Sequence, residues 1–92
     1  MRRRLDRDGE KRLADWLEHY KPLGPTRRLI AEALEAYAED ENQIRFPTEI
    51  DPSNPGELVI SPDEGLHLWV RPLSGERFTL MRVIDWRGWA GD

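Results

Sequence analysis

Leu13, Trp16, Leu17 and Tyr20 recur at i, i+3, i+4 and i+7, the spacing that puts four apolar side chains on one face of a helix. Asp6 or Asp8 stands ahead of that stripe and can accept hydrogen bonds from the first free N–H groups of the helix. Pro22, Gly24 and Pro25 are expected to end it. Thr26 is the next expected N-cap. A second stripe follows, Leu29, Ile30, Ala33, Leu34 and Tyr37, with Ala31, Ala36 and Ala38 raising helix propensity around it. Asn42 is expected as the left-handed C-terminal cap. Ahead of the first helix, Arg2 to Leu5 has the length of an edge strand or an unpaired arm, and the sequence leaves that choice open.

The period then changes. Pro47, Pro52 and Pro55 interrupt the next stretch, although Ile44, Phe46 and Ile50 alternate with polar residues as a short extended piece lying on the core would. Glu57 to Ser61 is strand-like, and Pro62-Asp63-Glu64-Gly65 has the composition of a turn. In Leu66 to Leu73, Leu66, Leu68 and Val70 take one side and His67, Trp69 and Arg71 the other. Ser74-Gly75-Glu76 turns the chain into a third strand ending near Trp86. The apolar residues of that strand fall on both sides, Phe78, Leu80 and Ile84 against Met81 and Val83, the pattern of a strand covered on two faces or central in the sheet. Helices first and a meander afterwards predict one α+β domain over 1–92. In it a helical hairpin (about 7–41) and a proline-rich loop (about 42–56) precede a meander (about 57–87), and the hairpin packs on one face of a 3–4-stranded antiparallel sheet.

Composition narrows the chemistry. The 92 residues are 38% hydrophobic and 35% charged, and no apolar run approaches the roughly 20 residues of a membrane span. Without cysteine there is no disulfide and no thiolate ligand or nucleophile. The basic Met1-Arg2-Arg3-Arg4 start is not followed by the apolar stretch of a signal peptide, so a cytoplasmic location is expected. The net charge of −4 conceals a partition: residues 1–30 carry +4, residues 31–65 carry −9, and residues 66–92 carry +1. Such a dipolar chain is able to orient a charged partner on approach, and the same charges also serve plain solubility.

Few residue types have the spacing of a site. His19 and His67 lie on different elements without a second ligand at metal-binding spacing, and no phosphate loop, nucleophile elbow or dinucleotide fingerprint is present, so no metal or cofactor is expected. Arg82 lies among apolar residues of the last strand, and Arg87 follows between Trp86 and Trp89. Arg and Trp together are enriched at binding hot spots and also suit phosphate or base recognition. The alternative is that the tryptophans close the core and Arg82 pairs with an acid across the sheet. Glu39, Asp40 and Glu41, at the unfavourable carboxyl end of the second helix, form a candidate acidic contact patch or a solvated end.

The element order resembles the RelE/ParE superfamily, the toxins of bacterial toxin–antitoxin modules. Arg3-Arg4-Leu5-Asp6 through Leu17 is similar to that family's first strand and helix, and Arg28 to Asp40 to its second helix. Gly65-Leu-His-Leu-Trp-Val-Arg and Leu80-Met-Arg-Val-Ile-Asp-Trp-Arg resemble its later strands. The resemblance implies a toxin that inhibits translation or DNA gyrase and is neutralised by an antitoxin. In its messenger-cutting members the chemistry is ribosome-dependent RNA cleavage, and Arg87, Arg82 and His67 are the catalytic candidates it leaves here. Leu68 and Trp86 stand where the family has an arginine and a histidine, so the basic set is incomplete, and a pI of 5.2 works against a polyanion. The alternative is a non-catalytic protein-binding module or small acidic inhibitor on the same scaffold, using Trp86, Trp89, Glu39, Asp40 and Glu41. Expected partners are therefore an antitoxin or target protein, with RNA or the ribosome in the toxin reading, and a homodimer through an open sheet edge as a third arrangement.

Overall fold

In a computed structural model of the protein, which describes residues 2–87, Asp6 closes a two-residue strand and opens the first helix. Its backbone is extended and its Oδ1 accepts the Gly9 N–H at 2.7 Å. Strand β1 (Arg4–Leu5) thus leads straight into α1 (Arg7–Tyr20), and α2 (Gly24–Glu39) follows. Four strands complete the chain, β2 (Thr48–Ile50), β3 (Leu58–Asp63), β4 (Leu66–Leu73) and β5 (Arg77–Asp85). They form one five-stranded sheet in the order β1-β5-β4-β3-β2, with β1 parallel to β5 and every other pair antiparallel. The α+β class, the helical pair and the meander agree with expectation. The expected 3–4 antiparallel strands become five in a mixed sheet, because Arg4–Leu5 pairs beside Arg77–Phe78 and the piece after Pro47 adds β2.

The helix ends differ from the sequence reading. Lys21, not a later glycine, takes the left-handed conformation after α1, and its N–H returns to the Leu17 carbonyl. Helix α2 begins at Gly24 behind an extended Leu23, so Thr26 lies inside the first turn and is not the cap. Pro25 fits there because a residue without an N–H loses nothing where the helix has no acceptor for one. At the other end the expected Asn42 cap is replaced by extended Asp40, whose carboxylate accepts the Asn42 N–H at 2.9 Å.

The core lies between α2 and the sheet. Ile30, Ala33, Leu34 and Tyr37 face Ile60, Leu66, Leu68, Val70, Phe78, Leu80 and Val83, and the Tyr37 ring meets Phe78 edge-on at 5.0 Å. The two-sided pattern of β5 has a simple cause. Trp69 pairs with Arg82 but Val70 pairs with Leu80, so Met81 is an extra residue. This bulge resets the alternation, and Phe78, Leu80 and Val83 all point to the helical layer. The strand is therefore not covered on both faces, but it is central in the sheet over its first residues, between β1 and β4.

Because β1 covers only the start of β5, the rest of that edge needs another partner. Helix α1 supplies it. Arg12 Nη1 donates to the Leu80 carbonyl at 3.2 Å and to Thr79 Oγ1 at 3.0 Å. One turn earlier Gly9 presses on the strand so closely that a Cβ there would stand 2.6 Å from the Leu80 nitrogen and 2.6 Å from Leu5 Cδ1. Gly9→Ala should therefore destabilise the fold by about 1–3 kcal/mol despite alanine's better helix propensity. Thermal or denaturant unfolding measures this, and a variant at least as stable as wild type would refute the close approach.

Candidate functional site

Helix α1 buries its stripe only in part. Leu13 and Trp16 pack against the core, but Tyr20 is 57% exposed, with its ring 5.0 Å from that of Trp16. Beyond Tyr20 the link to α2 presents Leu23, 78% exposed, and opposite it β5 runs out into Trp86, 56% exposed. Between them lies a groove of about 860 Å³, floored by Trp16, Val83 and Ile84 and flanked by Tyr20, Leu23 and Trp86. Tyr20, Leu23 and Trp86 are three of the five large apolar side chains that stand exposed among the described residues, the others being Ile44 and Ile50.

Arg87 lines this groove, and each of its three guanidinium nitrogens donates a hydrogen bond within the fold. Nε donates to Asp85 Oδ1 at 2.9 Å, Nη1 to Asp63 Oδ2 at 2.7 Å, and Nη2 to Thr26 Oγ1 at 2.8 Å and Asp85 Oδ2 at 3.1 Å. One side chain thus joins the end of β5, the β3–β4 turn and the first turn of α2. The turn is shaped for it. Gly65 has φ +84°, its carbonyl accepts the Trp86 N–H at 2.7 Å, and a Cβ on it would lie 3.1 Å from Arg87 Cγ. The Arg87 guanidinium holds the carboxyls of Asp85 and Asp63 below their ordinary value, helped by the backbone N–H groups of Arg87 and Glu64. Those bonds raise the Arg87 pKa in return, Asp85 contributing most.

The other two catalytic candidates sit elsewhere. The alternation that buries Leu66, Leu68 and Val70 sends His67 and Trp69 to the sheet face away from the helices, and Arg82 pairs beside Trp69. Arg82 Cζ lies 4.5 Å from the Trp69 ring centre and its Nη2 is 3.8 Å from Asp51 Oδ2. His67 Nδ1 is 2.8 Å from Ser61 Oγ. Asp51 is the hub of this face. It accepts the Trp69 Nε1–H at 2.9 Å, the Ser53 N–H and the Asn54 amide, and these bonds, Asn54 first, hold its carboxyl below the ordinary value. The structure therefore brings His67 and Arg82 to one surface and turns Arg87 toward Thr26 on the helical side.

Of the partner candidates, Trp86 lines the groove and Trp89 lies outside the described residues. The acidic group at the end of α2 meets the N-terminal arm. Arg2 bridges Glu35 at 2.7 Å and Glu39 at 3.6 Å, Arg3 bridges Glu41, and Arg3 N–H reaches the Ala38 carbonyl. Asp40, itself the C-cap of α2, accepts the Asn42 N–H with its carboxylate. Sequence reasoning passed over Tyr20, Leu23, Thr26, Asp51 and Asp85. Only Leu23 carried a signal, a large apolar residue inside a proline–glycine link.

Among the described residues no group of three or more His, Asp or Glu is placed to hold a metal ion, and no helix is long and apolar enough to cross a membrane. Comparison of the chain with models of known protein families, with curated proteins and with solved structures finds no match.

The Arg87 cluster makes a pH prediction. Asp63 and Asp85 have depressed values in the fold, so their contribution to stability is present above about pH 4 and is lost as pH falls further. Arg87→Met should lower stability at neutral pH by about 1 kcal/mol, a modest amount because the cluster is partly solvated. It should also flatten the loss of stability between about pH 5 and 3. Denaturant midpoints measured across that range test both, and parallel acid limbs in variant and wild type would count against the clamp.

Proposed function

We propose that this domain works by binding a protein partner at the groove between the helical hairpin and the end of β5. The observation that supports this most directly is the grouping of exposed Tyr20, Leu23 and Trp86 around an apolar floor. Trp and Tyr carry much of the energy of protein interfaces, and Leu23 adds apolar area beside them. The engaged state of Arg87 supports it further. Its donors already serve Asp85, Asp63 and Thr26, which suits a residue that shapes the groove wall better than one that contacts a reacting phosphate. Affinity capture from cells that make the protein, with the wild type and the Leu23→Asp variant as paired baits, tests this. A partner retained by the wild type should be lost or weakened at least tenfold by the variant when binding is remeasured with purified components. A partner that ignores Leu23→Asp and Trp86→Ser alike would place the interface elsewhere.

A second reading is favoured by the element order. A first strand, a helical hairpin and a meander follow one another as in the RelE/ParE-like toxins that the sequence resembles, so that the bound protein would be an antitoxin or a cellular target such as gyrase. In the translation-inhibiting version, His67 and Arg82 offer a base and a cation on one face, whereas Arg87 has to leave Asp63 before it can meet RNA. Induced expression in bacteria separates the versions. Growth arrest relieved by His67→Ala or Arg82→Ala would favour the nuclease. Arrest relieved only by Leu23→Asp would favour protein binding, and unimpaired growth at high expression would remove the toxin reading.

A further inference from the structure

The groove has an electrostatic character that its apolar lining does not disclose. Lys21 stands on its rim, and Arg27, whose Nε donates to the Pro22 carbonyl at 3.3 Å, lies in the next turn. Arg28 follows. Of the other basic residues of the N-terminal third, Arg2 and Arg3 bind the acidic end of α2, Lys11 binds Asp15 and Arg12 bonds Thr79 and the Leu80 carbonyl. Lys21, Arg27 and Arg28, among the described residues, make no ion pair. They are also placed against the local physics. Helix α2 has no acidic residue in its first turn and no side-chain cap, so two arginines sit beside the positive end of a helix dipole. The acid that lines the groove, Asp85, is held by Arg87, which also binds Asp63. An apolar groove is thus bordered by cations and by a helix end that all favour negative charge.

We infer that the segment received by this groove is apolar and acidic: bulky aromatic or branched side chains seated among Tyr20, Leu23 and Trp86, with flanking Asp or Glu residues against Lys21, Arg27 and the start of α2. The inference rests on the protein-binding reading and adds the chemistry of the partner. The apolar anchors supply affinity, and the carboxylates supply orientation and on-rate, at positions where a basic segment would be repelled.

Selection of a phage-displayed random peptide library on the immobilised full chain tests it. The recovered peptides should combine aromatic or branched residues with Asp or Glu and should lose binding to Leu23→Asp and to Trp86→Ser, whose folding is checked by circular dichroism. The double variant Lys21→Glu, Arg27→Glu should weaken them about tenfold. Their affinity should also fall between about 50 and 500 mM NaCl. Apolar peptides that bind equally well with lysine flanks, or that ignore the double charge reversal, would overturn the acidic partner and leave the protein-binding groove standing. Failure to enrich any peptide, or enrichment of peptides that bind Leu23→Asp as tightly as wild type, would overturn both. Light scattering run alongside covers the remaining occupant: a wild-type dimer abolished by Leu23→Asp would make a second copy the ligand and overturn the inference as well.

Discussion

The exposed edge of β5 is the constraint from which the rest of the molecule follows. A two-residue β1 pairs with Arg77 and Phe78 and then stops, leaving the Leu80 carbonyl and the strand beyond it in need of cover. Helix α1 takes that place because Gly9 has no side chain to hold it off and Arg12 can bond the strand directly. Once the helix is seated at Leu80 its course is set. Eleven residues of helix from Gly9 to Tyr20 advance about 16 Å, and the five strand residues from Leu80 to Asp85 advance about the same distance. Trp16 and Tyr20 therefore arrive beside Val83 to Trp86, where the helix ends and the strand is running out. The groove is the space left where an edge-sealing helix ends alongside the strand it seals.

Alternation along β5 then decides what each residue near that space does. Met81 is looped out as a bulge, which returns Val83 to the core side after Leu80. Two residues beyond, Asp85 is positioned to receive Arg87, and the intervening Trp86 is left outside. An ion cluster and an exposed indole at adjacent positions are thus one consequence of strand geometry. The cluster stiffens the groove wall by tying together three elements that are far apart in sequence. The indole offers the groove a large contact surface at small cost in conformational entropy.

Those relations also explain what the sequence could and could not reveal. The apolar stripes of the helices and the alternation in β4 are periodic, and periodicity survives translation into structure: Ile30, Ala33, Leu34 and Tyr37 are buried, as are Leu66, Leu68 and Val70. A bulge breaks the period by one residue, so β5 shows apolar residues on both sides of a strict alternation, and of the two explanations open to that pattern its place between β1 and β4 is the one found. The parallel pairing of β1 leaves no trace in two residues. Caps are decided by competition among neighbours, and Leu23, Lys21 and Asp40 took positions for which Thr26, a glycine or Asn42 were stronger candidates on intrinsic preference. The Arg–Trp tail was legible as unusual, but its meaning lay in Asp63, Asp85 and Thr26, which are acceptors contributed by other parts of the chain. Asp51, the organiser of the opposite face, looked like an ordinary turn residue.

The charge partition takes on a different meaning in three dimensions. The −9 of the middle third and the +4 of the first third do not stand apart as two poles, because Arg2 and Arg3 return to Glu35, Glu39 and Glu41 at the carboxyl end of α2. Of the cations of the first third that make no ion pair among the described residues, Arg4, Arg7 and Arg12 lie on β1 and α1, and Lys21, Arg27 and Arg28 lie about the other end of α2. The 16 residues of α2 span about 24 Å, well over twice the Debye length of about 8 Å at physiological ionic strength. A segment of the proposed kind approaching the groove would therefore be screened from the acidic end and would respond to the local cations. The total charge of −4 governs solubility and long-range encounter, whereas the proposed recognition at Tyr20, Leu23 and Trp86 would take place beside Lys21 and Arg27.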